Sequence, residues 1–150
     1  MLKGIPSLLT PELLKILMEM GHDDAIVLTD ANFTADRIAA GKPVIRLPGA
    51  SMRAAVEAVT TLLPLAVDVP CPAAYMEVSG QPEGYRSALQ REVCAYLEVF
   101  LTQGQHVEGV ERYAFYERAR TAYAYVVTGE LQPFGNFILR KGVIGENLRP

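Results

Sequence analysis

Short apolar runs alternate with helix-forming segments along this chain, and that alternation restricts its fold more than any other feature. The run AIVLTD at residues 25–30 is typical of a strand buried on both faces, because it is short and almost wholly apolar. The predicted strands are residues 25–30, 42–47, 73–78, 107–113, 125–130 and 134–143, and the predicted helices fall within residues 11–20, 50–65, 85–103 and 115–124. The pattern predicts a single α/β layered domain over residues 1–150, with a largely parallel sheet flanked by helices.

An aspartate stands at the end of the first predicted strand. In α/β sheets, ligands bind beyond the carboxyl ends of the strands, and Asp30 occupies such an end. Its carboxylate can cap the turn that DANF begins, or it can accept hydrogen bonds from the hydroxyl groups of a substrate. The spacing of the residues favours neither interpretation.

The histidine closest to this strand is His22, one of only two histidines in the chain. It lies just after the first predicted helix, where a polar loop side chain can satisfy the last helix carbonyls. Alternatively it acts as a general acid and base, because the ordinary pKa of histidine, about 6.5, suits proton transfer near neutral pH. Without further information, the structural role is the simpler interpretation.

Two segments in the last third of the sequence hold further polar candidates. The segment ERYAFYERAR is rich in charge, most of which predicts a solvated helix face with pairs three or four residues apart. Arg112 and Tyr116 can instead point into a binding site. The tripeptide of Phe134, Gly135 and Asn136 can form a simple turn, or it can bind a ligand through backbone groups and the Asn136 amide.

The composition excludes several functional classes. Hydrophobic residues make up 50% and charged residues 21% of the chain, which predicts a soluble globular protein. A net charge of -3 and a pI of about 5.4 provide no basic surface for nucleic acid or an anionic membrane. No apolar run approaches the ~20 residues of a membrane span, and the first residues do not resemble a signal peptide. Because Cys71 and Cys94 also lack CxxC spacing, we expect reduced thiols and a cytoplasmic protein.

Motifs for other chemistry are missing as well. The sequence contains neither GxGxxG nor a phosphate-binding loop. His22 and His106 do not have the spacing of metal ligands, so no metal site is predicted. Ser51 and Ser79 have no partner in the sequence that would make either a credible nucleophile. The residues therefore favour simple proton transfer by a His/Asp site.

Three longer motifs connect these candidates. They are MGHDDAIVLTDANF at residues 20–33, RYAFYERA at residues 112–119 and GNFILRKGV at residues 135–143. Their combination resembles the L-fucose mutarotase / D-ribose pyranase family over nearly the whole chain. AFYERA and the longer chain are more similar to the fucose branch than to the ribose branch.

This resemblance implies an enzyme that interconverts anomers or ring forms of a monosaccharide, without cofactor or metal. It implies that His22 is the catalytic acid and base. It also implies ring-shaped homo-oligomers, often decamers, whose sites lie near subunit interfaces. The substrate-binding positions that it implies are Asp30, Arg112, Phe134, Gly135 and Asn136, and Tyr116, in the same motif as Arg112, is a candidate for a further substrate contact.

The sequence departs from the family in the tripeptide. The tripeptide usually begins with tyrosine, and Phe134 lacks that hydroxyl group. If the phenol contacts the sugar, its loss removes one hydrogen bond worth about 0.5–1.5 kcal/mol; if the contact is made through the backbone, the change matters little. The expected function is a mutarotase for L-fucose or a related sugar. The alternative is a non-catalytic monosaccharide-binding or regulatory protein of the same fold.

Overall fold

Helices and strands alternate as the sequence predicts in residues 1–145, which are the residues that the computed structural model describes. The helices there are Pro11–Glu19 (α1), Ala35–Ala39 (α2), Met52–Leu62 (α3), Ala88–Glu98 (α4) and Arg112–Arg120 (α5). The strands are Ala25–Thr29 (β1), Val44–Leu47 (β2), Ala73–Met76 (β3), Val107–Val110 (β4), Ala124–Thr128 (β5) and Phe137–Arg140 (β6). The last five residues of the domain predicted over residues 1–150 lie outside the described residues.

The strands form one sheet in the order β2-β5-β1-β6-β3-β4. Strand β6 is antiparallel to both of its neighbours, β1 and β3, and the other pairings are parallel. The predicted α/β fold with a largely parallel sheet and flanking helices is therefore confirmed. Because β6 alone is reversed, it begins at the edge of the sheet where β1 and β3 end. Phe137 accordingly pairs with Leu28 of β1 and with Tyr75 of β3.

The sheet is buried on both faces, as the apolar strand runs predict. Ile26 and Leu28 of β1 point into a core that contains apolar side chains of α1, α3 and α4. Val27 between them points to the opposite face, where Ile38 of α2 and Phe115 of α5 pack. This alternation is the two-residue period of a strand, and it leaves only the edges and ends of the sheet for polar side chains.

Local capping groups explain where the helices begin. Thr10 caps α1, because its hydroxyl accepts a hydrogen bond from the Leu13 N–H at 3.2 Å. Helix α5 begins three residues before the predicted start at residue 115. The Glu111 carboxylate causes this difference, since it accepts from the N–H groups of Tyr113 and Ala114.

The other differences from the predicted elements are small. The segment predicted as a helix over residues 85–103 is helical only over Ala88–Glu98, and the short helix α2 was not predicted. No helix in the described range 1–145 is both long enough and apolar enough to cross a membrane.

Candidate functional site

Polar side chains converge at the edge of the sheet where the parallel strands end. Asp30 follows β1, Arg112 follows β4, and Asn136 precedes the reversed strand β6. Together with loop residues they surround a pocket of about 270 Å³. The lining residues are Asp30, Asn32, Phe33, Met76, Arg112, Tyr116, Pro133, Phe134 and Asn136. The antiparallel direction of β6 is what brings the 134–136 tripeptide to this edge.

Asp30 and Asn136, which are 106 residues apart in the sequence, form a buried pair in this pocket. The Asn136 amide nitrogen donates to Asp30 Oδ2 at 3.2 Å, and the Asp30 N–H donates to Asn136 Oδ1 at 2.9 Å. Asp30 Oδ1 also accepts from the Asn32 N–H at 2.9 Å. The two residues are only 5% and 3% exposed. Asn136 therefore holds the carboxylate in place, and the carboxylate keeps lone pairs for a ligand.

Burial sets the electrostatics of this pair. Removal from water raises the pKa of Asp30 above its ordinary value. The hydrogen bonds from Asn32, from Asn136 and from the Phe33 N–H act in the opposite direction, since they stabilise the charged form. Bulk water therefore hardly competes with a ligand for the hydrogen bonds of this carboxylate. Any lone pair of the carboxylate that remains without a donor is costly at this depth.

The tripeptide forms a tight turn before β6. Phe134 has a backbone φ of 61°, which is a costly conformation for a bulky residue. At Gly135 a Cβ atom would lie 3.0 Å from the Gln132 carbonyl oxygen and 2.8 Å from Leu89 Cδ2, so a larger residue there would displace both neighbours. Of the two interpretations of the tripeptide, the turn is therefore correct for its backbone, and this turn forms one wall of the pocket.

Arg112 and Tyr116 lie one turn apart on α5 and form the opposite wall. Arg112 Nε donates to the Tyr116 hydroxyl at 3.0 Å. In the described part of the chain, the terminal nitrogens of Arg112 have no hydrogen-bond partner and are available to a ligand. The Tyr116 ring packs against Phe33, with 5.6 Å between ring centroids. Both side chains thus point into the site rather than along a solvated helix face.

His22 lies at the other end of β1. Its Nε2 atom is 2.9 Å from Asp68 Oδ2, and its side chain is 47% exposed. Strand β1 has five residues, so about 17 Å of extended chain separates this end from Asp30, at roughly 3.3 Å per residue. Within one subunit, the structure therefore does not bring His22 to the pocket.

The structure thus brings six of the seven predicted site residues together and leaves out His22. Four further wall residues were not predicted from the sequence: Asn32, Phe33, Met76 and Pro133. A signal existed for three of them. Asn32 and Phe33 belong to the DANF motif, and Met76 lies in the strand predicted over residues 73–78, near the same edge as Asp30.

The pocket has the groups that bind a small polyhydroxylated molecule. A buried carboxylate accepts hydrogen bonds, a guanidinium donates them, and the rings of Phe33 and Phe134 provide apolar surface for C–H groups. Its volume is just below the ~300 Å³ typical of sites for drug-sized ligands, which suits a single sugar ring. Among residues 1–145, no group of three or more His, Cys, Asp or Glu side chains is arranged to hold a metal ion.

Comparisons with known proteins identify the family of this chain. Residues 3–144 match the model of the RbsD / FucU transport protein family. Fucose mutarotase of Homo sapiens is 46% identical over an alignment of 150 positions. This alignment covers 97% of this chain and 96% of the human protein. L-fucose mutarotase of Glaesserella parasuis is 45% identical over 144 residues, which cover 95% of this chain and 96% of that protein.

A solved structure gives the same result for the fold. The fucose mutarotase of Streptococcus pneumoniae, determined in complex with L-fucose, superposes with a TM-score of 0.85 at 37% identity. The alignment covers 96% of this chain and 100% of the Streptococcus pneumoniae protein in that structure. The resemblance that the sequence motifs indicated is therefore confirmed: this chain belongs to the RbsD / FucU family.

Proposed function

We propose that this protein is a monosaccharide mutarotase that interconverts the α and β anomers of L-fucose or a related sugar, without a cofactor. The observation that carries this proposal is the buried Asp30–Asn136 pair in a pocket of sugar size. Membership of the family and the names of its fucose mutarotase relatives support the same activity.

The pocket residues have distinct roles in this proposal. The Asp30 carboxylate accepts hydrogen bonds from two neighbouring sugar hydroxyls, which replace the water that burial removes. Arg112 donates to a further hydroxyl through its terminal nitrogens, and Tyr116 holds the guanidinium in that direction. Phe134 covers an apolar edge of the ring, and Gly135 allows the turn that places it there.

Mutarotation requires two proton transfers and no covalent attachment. The anomeric hydroxyl loses its proton, the bond between C1 and the ring oxygen breaks, and the ring oxygen gains a proton. The open-chain aldehyde then rotates about the C1–C2 bond and closes on its other face. A single group that alternates between base and acid can accelerate this reaction by about 10²–10⁴-fold, and we propose that His22 is this group.

Because His22 lies at the opposite end of β1 from the pocket, we propose that a neighbouring copy supplies it. The exposure of its side chain, 47%, makes it available to another subunit. Apolar side chains that are exposed in the single chain, among them Leu2, Met18 and Ile144, support self-association. The resemblance to the family supports a ring-like homo-oligomer such as a decamer. Light scattering on the purified protein measures its mass directly.

Saturation-transfer nuclear magnetic resonance on L-fucose tests the activity. The wild-type protein should accelerate exchange between the two anomer signals well above the buffer rate. Galactose, ribose and rhamnose, measured in the same way, give the sugar preference. A wild-type protein that leaves every rate at the buffer value contradicts the proposal.

A subunit-mixing experiment tests the shared site. His22→Ala and Asp30→Asn oligomers should each be nearly inactive. After both are dissociated, mixed in equal amounts and reassembled, one half of the histidines and one half of the pockets are intact. Random pairing then restores about one quarter of the sites. No recovery, with reassembly confirmed by mass, contradicts a site formed between subunits.

The alternative function is a non-catalytic monosaccharide-binding protein. Phe134, where the family usually has tyrosine, favours it, because the missing hydroxyl weakens the polar lining of the pocket. Binding of L-fucose in a calorimetric titration, without any acceleration of anomer exchange, would support this alternative over the enzyme.

We also propose a cytoplasmic location. Both cysteines are free thiols, and burial raises the pKa of Cys94 to about 11, which keeps it protonated and unreactive. Free thiols are typical of reducing compartments. Fractionation of cells that express the protein tests this location.

A further inference from the structure

We infer that Gln90 is a positioning residue for the sugar site, an inference that rests on the proposed function. Gln90 lies on α4, does not line the pocket and is completely buried, with 0% of its surface exposed. Its side chain nevertheless connects two segments that do line the pocket. None of the sequence motifs that carry the family resemblance includes it.

Both the nitrogen and the oxygen of the Gln90 side-chain amide form hydrogen bonds. Nε2 donates one hydrogen bond to the Met76 carbonyl at 2.7 Å and another to the Phe134 carbonyl at 3.0 Å. Oε1 accepts from the Ser87 N–H at 3.0 Å, which forms half of a capping box at the start of α4. Both amide hydrogens therefore hold backbone of the site, and only the oxygen serves the helix.

The contact with Phe134 fixes a strained conformation. The left-handed backbone of Phe134, at a φ of 61°, is unfavourable for a residue with a Cβ atom unless the surroundings hold it. The hydrogen bond from Gln90 anchors the carbonyl that this conformation turns inward. Without that donor, the 134–136 turn loses a restraint at its most strained residue.

The contact with Met76 extends to the carboxylate. The Met76 N–H donates to the Asn136 carbonyl at 3.0 Å, and the Asn136 amide nitrogen is 3.7 Å from Met76 Sδ. Asn136 in turn donates to Asp30 Oδ2. Gln90 thus reaches Asp30 by two short routes, through Met76 and through the tripeptide, and both routes meet at Asn136.

Three variants separate positioning from helix capping. Gln90→Met has nearly the same shape but no donor, so it removes both restraints. Gln90→Glu is the conservative variant, because burial favours its neutral carboxyl form, which can donate one hydrogen bond. Ser87→Ala is the matched control: it removes the hydroxyl that caps α4 at the Gln90 N–H, 3.2 Å away, and leaves both amide donors in place.

Two measurements report on the site. The first is kcat for L-fucose anomer exchange, because small displacements of a group that holds substrate lower catalysis strongly. We expect a loss of about 10–100-fold for Gln90→Met, an intermediate loss for Gln90→Glu and at most about a twofold change for Ser87→Ala. The second is hydrogen exchange of the Asp30 amide, which donates to Asn136 Oδ1 and so reports on Asn136 without any substrate.

The outcomes are distinct. Graded losses of kcat and of Asp30 amide protection in the two Gln90 variants, with a Ser87→Ala protein close to wild type, support the inference. Wild-type kcat and protection in Gln90→Met overturn it, and so does an equal loss in Ser87→Ala, which would assign the effect to helix order. If Gln90→Met does not fold, kcat and Asp30 amide protection are compared between Gln90→Glu and Ser87→Ala, and the same criteria apply. If the wild-type protein has no activity, the proposed function fails, and the Asp30 amide alone then supports or overturns the role of Gln90.

Discussion

The two ends of strand β1 carry the two main candidate site residues, Asp30 and His22, and the surroundings of these residues differ sharply. At the carboxyl end, Asp30 is 5% exposed and accepts hydrogen bonds from Asn32 and Asn136. At the amino end, His22 is about half exposed and contacts one carboxylate, that of Asp68. The first end is a buried polar pocket, and the second presents an imidazole at the surface of the subunit.

The amino end is nevertheless not loosely held. The Asp23 N–H donates to the Lys141 carbonyl at 2.8 Å, and Arg140 Nε donates to Asp23 Oδ1 at 2.8 Å. Asp23 itself has a left-handed backbone with a φ of 69°. The residue next to His22 is thus fixed to strand β6. The difference between the two ends teaches that exposure of a side chain and order of its backbone are separate properties, and a shared active site needs both.

The largest expected effect is that of His22→Ala. Removal of the proton-transfer group should lower the rate of L-fucose anomer exchange by about 10²–10⁴-fold. The free energy of unfolding should change by less than about 1 kcal/mol, because exposed ion pairs contribute little. Saturation transfer and urea denaturation measure the two quantities. Asp68→Asn is the control, since it removes the same surface pair and keeps the imidazole; an equal rate loss in that variant would contradict the role of His22.

Asp30→Asn should have the next largest effect, at the opposite end of the strand. The variant keeps the size of the side chain but loses the charge that sugar hydroxyls bind, and hydrogen bonds to charged groups contribute about 1.5–3 kcal/mol. The affinity for L-fucose should therefore fall by roughly 10–100-fold in a calorimetric titration. His22→Ala should bind L-fucose with nearly wild-type affinity. If both variants lose affinity equally, the division into a binding end and a catalytic end is wrong.

The affinity should also depend on pH through Asp30 alone. Because burial raises the pKa of Asp30, its carboxylate is charged above that raised pKa and becomes protonated as the pH falls through it. Binding should therefore weaken by about tenfold per pH unit below that point, and the loss should begin above pH 3.8, the ordinary pKa of aspartate. Titrations over the acidic range, with circular dichroism to confirm folding, measure this. An Asp30→Asn protein that shows the same pH dependence would exclude Asp30 as its origin.

The smallest effect is expected for Phe134→Tyr. The change adds the hydroxyl that the family usually has in the tripeptide, at a residue whose ring lines the pocket. One further hydrogen bond of about 0.5–1.5 kcal/mol should raise the affinity for the preferred sugar by roughly 2–10-fold. Anomer exchange and titration on L-fucose and ribose would reveal any change in preference. Unchanged affinity for both sugars would mean that the contact with this residue is made through its backbone.

The sequence was sufficient for the six strands and for four of the five helices of residues 1–145, and it was insufficient for helix α2 and for the direction of β6. The run AIVLTD identifies β1 and puts Asp30 at its end, because an apolar strand and its polar end are both local patterns. The reversal of β6 is not local. It results from pairing with β1 and β3, and only this pairing brings Asn136 to Asp30 across 106 residues.

The separation of His22 from Asp30 was, by contrast, available from the sequence. An extended strand between two residues places them at opposite edges of a sheet, and the predicted strand lies between these two. The start of α5 was harder to predict, because it depends on the Glu111 side chain turning back to cap its own helix. The role of Gln90 depends on tertiary contacts that no spacing in the sequence indicates.

Strand β6 runs from the pocket, at Phe137, to the loop before β1 that contains His22, where Arg140 contacts Asp23. In the proposed function, this short strand therefore sets the distance between the pocket of a subunit and the histidine that the same subunit supplies to a neighbour. In a closed ring, the distance between successive pockets would depend on the length of the paired strands β1 and β6. One residue inserted into β6 would move one end by about 3.3 Å and turn its side chains to the other face. Because Phe137, Ile138 and Leu139 of β6 are buried, such an insertion should also disturb the core on both faces of the sheet.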